Sequence, residues 1–526
     1  MSELSDGLFF NGRILTFDSK PKAAEAIAVR NGKIVAVGAY DEVRVEVPRA
    51  CDKHNLKGRL VVPGFIDSHT HFLQMGLDRY NADLSSARSL KEALSIMASV
   101  ARRTSEDDWV IGTNWTEDAW PDGRLLTKAD LDRSCPKHPA VAYRVCLHMC
   151  SINSKAAERA GIDGSTPGAD MTPAGKLTGV MRESGLGAVY AAIPTSEETR
   201  LKMLLSATRK AHSVGVTSIH DNGDVGAIYN GDTINLRTYK TAERIGKLGV
   251  RIRFNMPSSN LGHMLRLNVG GLGSEWLSLG GLKVFCDGAV GARTAALSKP
   301  YADDPGNKGS LVNDTRDLDD MVARASGGNI QLVIHAIGDV GIETAISSIE
   351  KARDIVSEYD HRHRIEHLSQ PSAEHLKRMR RLGLIASMQP NFVVPFTRVD
   401  GVYLKRLGPK RARWSYPIAE VLRAGVRLAL GSDCMPMSPL LGIMCAASAA
   451  RKPQKITVEQ GIASYTVGSA YAGFEEAVKG TISVGKMADF VVLSNDPVAD
   501  ARNIHSTSVV QTVVAGRVVF DALERT

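Results

Sequence analysis

VVPGFIDSHTHF, residues 61–72, is the stretch on which the fold turns. An apolar, β-branched run ends in Asp67, His69 and His71, which reads as a short buried strand with polar groups at its C-terminal end. In an extended chain residues i and i+2 point to the same side, so both imidazoles project together. Two neutral imidazoles with converging nitrogens suit zinc and similar ions. For this motif alone, two histidines falling by chance in a polar loop is the plainer alternative.

Six further runs repeat the plan downstream: GVTSIHD (215–221), GGLKVFCDG (280–288), NIQLVIHAIGD (329–339), RHRIEHL (362–368), LGLIASMQP (382–390) and VRLALGSD (426–433). Helical patterns fill the gaps, among them 340–356 and 372–383. Alternating strands and helices mean an α/β fold with a parallel sheet, doubly wound or closed as a (β/α)8 TIM barrel. Histidine and aspartate at the ends of many successive strands favour the barrel, which assembles its site on one face. A doubly wound sheet gathers ligands at one switch point, and neither G-x-G-x-x-G nor a Walker A loop is present.

The barrel is therefore expected over 61–474. The stretch 76–205 is too long for a strand–helix connection and reads as an insertion near the barrel mouth. Both ends of the chain differ from the middle. Short β-branched runs separated by glycine turns, including Asn31-Gly32-Lys33, predict one composite β-sandwich built from 1–60 and 475–526.

Composition narrows the class further. The chain has 526 residues, too many for one ordinary domain, with 43% hydrophobic and 23% charged residues, which fits a globular protein. A net charge of +8 is thin over this length, and the densest basic run, KRMRR at 377–381, reads as a solvated helix face rather than a nucleic-acid patch. Seven scattered cysteines argue against a disulfide framework. With neither a signal-peptide pattern nor an apolar run of membrane-spanning length, a cytoplasmic location without membrane contact is expected.

The ligand-type residues recur in order along the chain. After His69 and His71 come His335, His367 and Asp433, each at a strand end. One such histidine is usually a packed core residue, but four strand ends giving His-x-His, His, His and Asp make chance a poor explanation. On these residues the sequence resembles the amidohydrolase superfamily. PGFIDSHTHF is similar to its first-strand motif, LALGSD to its last-strand motif, and GTISVGKMADFVVL to its C-terminal sheet motif. GLKVFCDGAVGARTAAL (281–297), VIHAIGD, IEHLSQPS and LALGSDCMPMSPL resemble the YtcJ-like branch that includes N-substituted formamide deformylase.

The resemblance implies one or two divalent ions per chain, zinc first among them, held by His69, His71, Lys283, His335, His367 and Asp433. Lys283 is there the bridging position, carrying a carbamate in the resembling group; a structural lysine paired with Asp287 is the plainer alternative. Asp433 is expected to act as general base and then acid. The implied substrate is a small amide such as an N-substituted formamide or other N-acyl amine. A deaminase or lactam hydrolase on the same site, or a non-catalytic scaffold on the same barrel, are the alternatives. Family members are often dimers, so a homodimer is expected.

Candidate substrate contacts are Trp115, Arg144, His148, Glu183, His220 and Arg293. Trp115 and Trp120 offer an apolar wall or simply pack the insertion. Arg144 and His148 fall where the resembling branch carries R-x-D-x-H, with Cys146 in place of the aspartate. A Cys146/Cys150 metal pair competes with two half-buried thiols. His220 ends its strand as a substrate contact or a support to one, and Arg293 faces a substrate carboxylate or Asp287.

Overall fold

A computed structural model describes residues 6–19, 22–76, 82–224, 226, 231–267, 271–353, 360–398 and 401–523. Its centre is an eight-stranded, all-parallel sheet. The strands are β1 (Phe65–Thr70), β2 (Val216–Asp221), β3 (Arg251–Pro257), β4 (Leu277–Phe285), β5 (Leu332–Ala336), β6 (Arg364–His367), β7 (Ile385–Met388) and β8 (Arg427–Leu430). Each pairs with the next in chain order, as in a (β/α)8 barrel. The first and last strands meet through a side chain: the Asp67 carboxylate accepts the Ser432 backbone N–H at 2.8 Å and the Ser432 hydroxyl at 2.5 Å.

Two strand assignments differ from the sequence expectation. The run 61–67 is divided at Gly64 between Leu60–Pro63, which joins a terminal sheet, and β1. A side chain at Gly64 would sit 2.3 Å from Thr217 Oγ1, so only glycine lets the chain pass that close to β2. The strand missing from the sequence reading is β3, whose RIRFNMP has three polar members among seven buried residues. Its arginines and asparagine disguise a fully buried strand.

Outside the barrel, Gly7–Phe10, Ala26–Arg30, Lys33–Gly38 and Asp52–Asn55 form a four-stranded sheet. Arg13–Leu15, Ala23–Ala24, Leu60–Pro63, Phe490–Leu493, Val509–Val514 and Arg517–Asp521 form a six-stranded one. Phe9, Ile27 and Val29 of the first pack with Val61, Phe490, Val492 and Val513 of the second. Alternate residues of the same strands, Leu60, Val62, Val491 and Leu493, join the barrel core instead. Period-2 alternation thus buries both faces of one sheet. Asn31 and Gly32, with φ of 51° and 74°, make the tight hairpin turn between Ala26–Arg30 and Lys33–Gly38.

Between β1 and β2, where the sequence predicts an insertion, the chain builds a further six-stranded sheet, Ala82–Asp83 through Leu177–Arg182. Trp115 closes its strand Val110–Trp115. In the basic run 377–381, Arg378 pairs with Glu343 and Glu350, and Arg381 with Glu350, while Met379 is buried. No helix among the described residues is long and apolar enough to cross a membrane.

A buried ion pair fastens the barrel to the terminal sheet. Arg251, at the start of β3, donates from Nε at 2.6 Å and Nη2 at 3.1 Å to Asp489, which also accepts the Ala515 N–H. Both side chains are under 5% exposed, so removing one partner strands a charge. Asp489→Ala is expected to lower the unfolding free energy by ~3–5 kcal/mol, measured by urea denaturation. A change under ~1 kcal/mol, the range of a surface pair, contradicts the clamp.

Candidate metal centre and its cavity

Four imidazoles, one carboxylate and one amine meet at the C-terminal ends of β1, β4, β5, β6 and β8. Ligand atoms of His69, His367 and Asp433 lie within 4.8 Å of one another. His71 Nε2 is 3.3 Å and His69 Nε2 3.7 Å from the same Asp433 oxygen. The ring centre of His367 is 4.7 Å from that of His69 and 4.4 Å from that of His335.

Outer partners fix how these rings present themselves. His69 Nδ1 meets Glu366 Oε2 at 2.5 Å, His71 Nδ1 meets the Gly223 carbonyl, and His367 Nδ1 meets Gln389 Oε1 at 2.8 Å. Each contact takes the Nδ1 proton, which leaves an Nε2 lone pair for the centre. Burial pushes His69 down to about 4 and holds His335 and His367 well below the ordinary histidine value, so these three rings are neutral near pH 7. His69 Nε2 is buried with no hydrogen-bond partner. A neutral imidazole with an unused, buried lone pair is a metal-ligand arrangement.

Lys283 adds the second orphan. It is fully buried, its Nζ makes no hydrogen bond, and the Phe285 ring centre lies 4.9 Å away. The alternative pairing with Asp287 does not occur: that carboxylate accepts the backbone N–H groups of Ala296, Ile337 and Gly338 at 2.7–2.9 Å. Burial pushes the amine down to about 8, so a neutral fraction is present near pH 7. His335 donates from Nε2 to the Gly288 carbonyl at 3.2 Å.

Strand alternation alone does not make this geometry. Glu366 and His367 are adjacent, so a regular strand would send them to opposite faces. The left-handed φ of 67° at His367 turns its ring back to the centre, and Asp433, with φ 54°, is turned in the same way. Backbone strain of this kind collects at functional sites.

Above the imidazoles opens a cavity of about 360 Å³. His367, Asp433, His148 and Arg144 line it together with Phe392, Phe396, Tyr403 and Tyr416. His148 Nδ1 lies 2.8 Å from Glu183, which also accepts the Thr294 hydroxyl at 2.6 Å. Burial would lower His148, but the Glu183 charge outweighs it and raises the ring above its ordinary value. Arg144 is committed to its neighbours, donating to Glu117 at 2.8 Å and Asp118 at 2.9 Å.

Three expected substrate contacts lie elsewhere. Trp115 and Trp120 stack at 5.6 Å inside the inserted sheet's own core, with their N–H groups on the Ala142 and Ala87 carbonyls. His220 is fully buried between Arg364, which donates to its Nδ1 at 2.9 Å, and Glu475 at 3.3 Å. Arg293 pairs with Asp303 at 2.8 Å, not with Asp287. Cys146 lines the cavity while Cys150 is packed in the insertion core, and both thiols are free.

Sequence reasoning missed Glu366, Gln389 and Arg364. The signal for two of them was available: in Arg364-Ile365-Glu366 two charges alternate within an otherwise buried strand.

Comparison with known proteins follows the same lines. Residues 54–520 match the model of the amidohydrolase family. The putative amidohydrolase YtcJ of Bacillus subtilis is 30% identical, over 98% of this chain and 99% of its own. The N-substituted formamide deformylase of Arthrobacter pascens is 26% identical, over 98% of each. A metal-dependent hydrolase of Pyrococcus furiosus superposes with a TM-score of 0.74 at 26% identity, over 94% of this chain and 100% of that one.

Gln389 offers a clean test of the outer partners. Gln389→Met keeps the volume and removes the acceptor for His367 Nδ1–H, so zinc affinity measured against a competing chelator is expected to fall ~10–100-fold. Unchanged affinity means that His367 does not bind the ion.

Proposed function

The chain belongs to the amidohydrolase family, and on that premise we propose that it hydrolyses a small non-peptide amide, with N-substituted formamides and other N-acyl amines as its substrates. The observation that carries this reading is that His69 Nε2, buried and without a hydrogen-bond partner, and His71 Nε2 both face Asp433 beneath an aromatic-walled cavity. His69, His71, His335, His367, Lys283 and Asp433 would hold zinc or a similar ion, one or two per chain. When bound, such an ion makes water a strong nucleophile near neutral pH and polarises the amide carbonyl.

The residues themselves supply the remaining steps. Asp433 sits between the imidazoles and the cavity with its side chain 13% exposed, and can touch both water and substrate. Burial would raise its pKa, but the side chains of His71, His69 and His367 around it outweigh burial and hold the carboxyl below the usual range. It is therefore an ionised base that takes a proton from the attacking water and delivers it to the departing nitrogen. His148, oriented by Glu183, donates to the carbonyl oxygen as negative charge grows there. Phe392, Phe396, Tyr403 and Tyr416 receive an apolar N-substituent. The Lys283 amine, buried and without a partner, adds to carbon dioxide with loss of one proton, and the carbamate it forms offers the oxygen ligands that an ammonium lacks.

Purified protein incubated with N-substituted formamides is expected to release formate and amine in equal amounts. Ammonia release instead assigns the site to deamination. On any substrate that turns over, Asp433→Asn should lower kcat ~10²–10⁴-fold with the circular dichroism spectrum unchanged. Near-normal turnover of that variant removes Asp433 from proton transfer.

A further inference from the structure

A second cavity, of about 730 Å³, lies at the opposite end of the barrel. Ser278, Gln331 and Asp360 on its wall sit at or before the starts of β4, β5 and β6, whereas the candidate metal centre follows the strand ends. Arg251, Arg253, Glu475 and Lys479 supply much of its charge.

All but one of these four are satisfied. Arg251 is held by Asp489, as described above. Lys479 donates to Glu475 at 2.8 Å and to the Ser218 hydroxyl at 3.1 Å, and Glu475 also meets His220. Asp360, on the rim, pairs with Arg362 at 2.8 Å. Arg253 is the exception. It is 6% exposed, its Nε is buried with no hydrogen-bond partner, and no ion pair reaches its guanidinium among the described residues.

The remaining surroundings of Arg253 do not neutralise it. The Phe474 ring centre lies 5.8 Å away, and the charges that act on it are Glu475, already shared by His220 and Lys479, and the like-charged Arg364 and Arg362. Gly280 leaves room for its stem: a side chain there would come within 3.2 Å of Arg253 Cγ and 2.2 Å of Asn255 Oδ1. A buried guanidinium without an acceptor is costly, and its planar fork matches carboxylate and phosphate oxygens.

We propose that this cavity is a second binding site, separate from the catalytic mouth, for a small molecule carrying a carboxylate or phosphate group, with the Arg253 guanidinium as its receptor. An oxyanion seated there gives Arg253 the acceptors it lacks among the described residues and balances its charge.

The test is calorimetric titration of the metal-loaded full-length protein with inorganic phosphate and, separately, succinate, at low ionic strength. Wild type is expected to bind at least one probe saturably below ~10 mM. Arg253→Gln should weaken that binding by about tenfold or more, and Arg253→Lys, which keeps the charge but not the fork, by less. An anion held by the metal ion instead would bind all three proteins alike. Equal affinity in wild type and both variants, or no saturable binding of either probe to wild type, overturns the proposal. If Arg253→Gln does not fold, the comparison of wild type with Arg253→Lys decides. The probe that binds more tightly identifies the group as phosphate or carboxylate.

Discussion

Glu366 is a carboxylate with no exposed surface, and the interior of the barrel is organised around the donors that it requires. Burial alone would force a proton onto it, yet the Arg364 guanidinium and the His69 ring hold it ionised. Arg364 reaches it at 2.8 and 3.1 Å and is itself tied to the Ser68 carbonyl, the Ser387 hydroxyl and His220. Because the carboxylate must be satisfied, His69 has to present Nδ1–H to it. That fixes which nitrogen is left for a metal ion. Strands β1, β2, β6 and β7 are thus joined through one charged group, and on the far side His220 passes the network on to Glu475.

The mouth is built on a second network, between the inserted sheet and the late part of the chain. Arg406 donates to Asp303 at 2.6 Å and to Glu117 at 3.0 Å, while Arg144 holds Glu117 and Asp118 from the other side. Two buried guanidiniums sharing the same carboxylates pin the insertion over the imidazoles. Arg144, which lines the cavity, is therefore better suited to shaping the wall than to binding a substrate carboxylate. His148 and Glu183 come from the same insertion, so the pair that faces the imidazoles depends on that anchoring.

Much of this was legible in the chain because strand periodicity and strand-end chemistry are local signals. Phe65–Thr70 with His69 and His71, Leu332–Ala336 with His335, and Arg427–Leu430 before Asp433 each announce themselves within ten residues. Lys283 entered through family resemblance, since a lysine in an apolar run carries no spacing of its own. What escaped depends on distant partners or on conformation. Glu366 lies 297 residues from His69, and Arg406 lies 289 from Glu117, so neither pairing has a sequence signature. The backbone turn at His367 that carries it to the site is likewise invisible to periodicity. β3 was hidden by its own buried arginines, one clamped to Asp489 and the other open to the lower cavity.

The buried imidazoles of His69, His71, His335 and His367, with Asp433 and Lys283, make up the proposed metal centre. Elemental analysis of the protein purified without chelator tests it most directly. One or two zinc-class ions per chain are expected, and fewer in His69→Ala. Protein that carries no ion, and takes up none when zinc, manganese, cobalt or iron is supplied under reducing conditions, would contradict it.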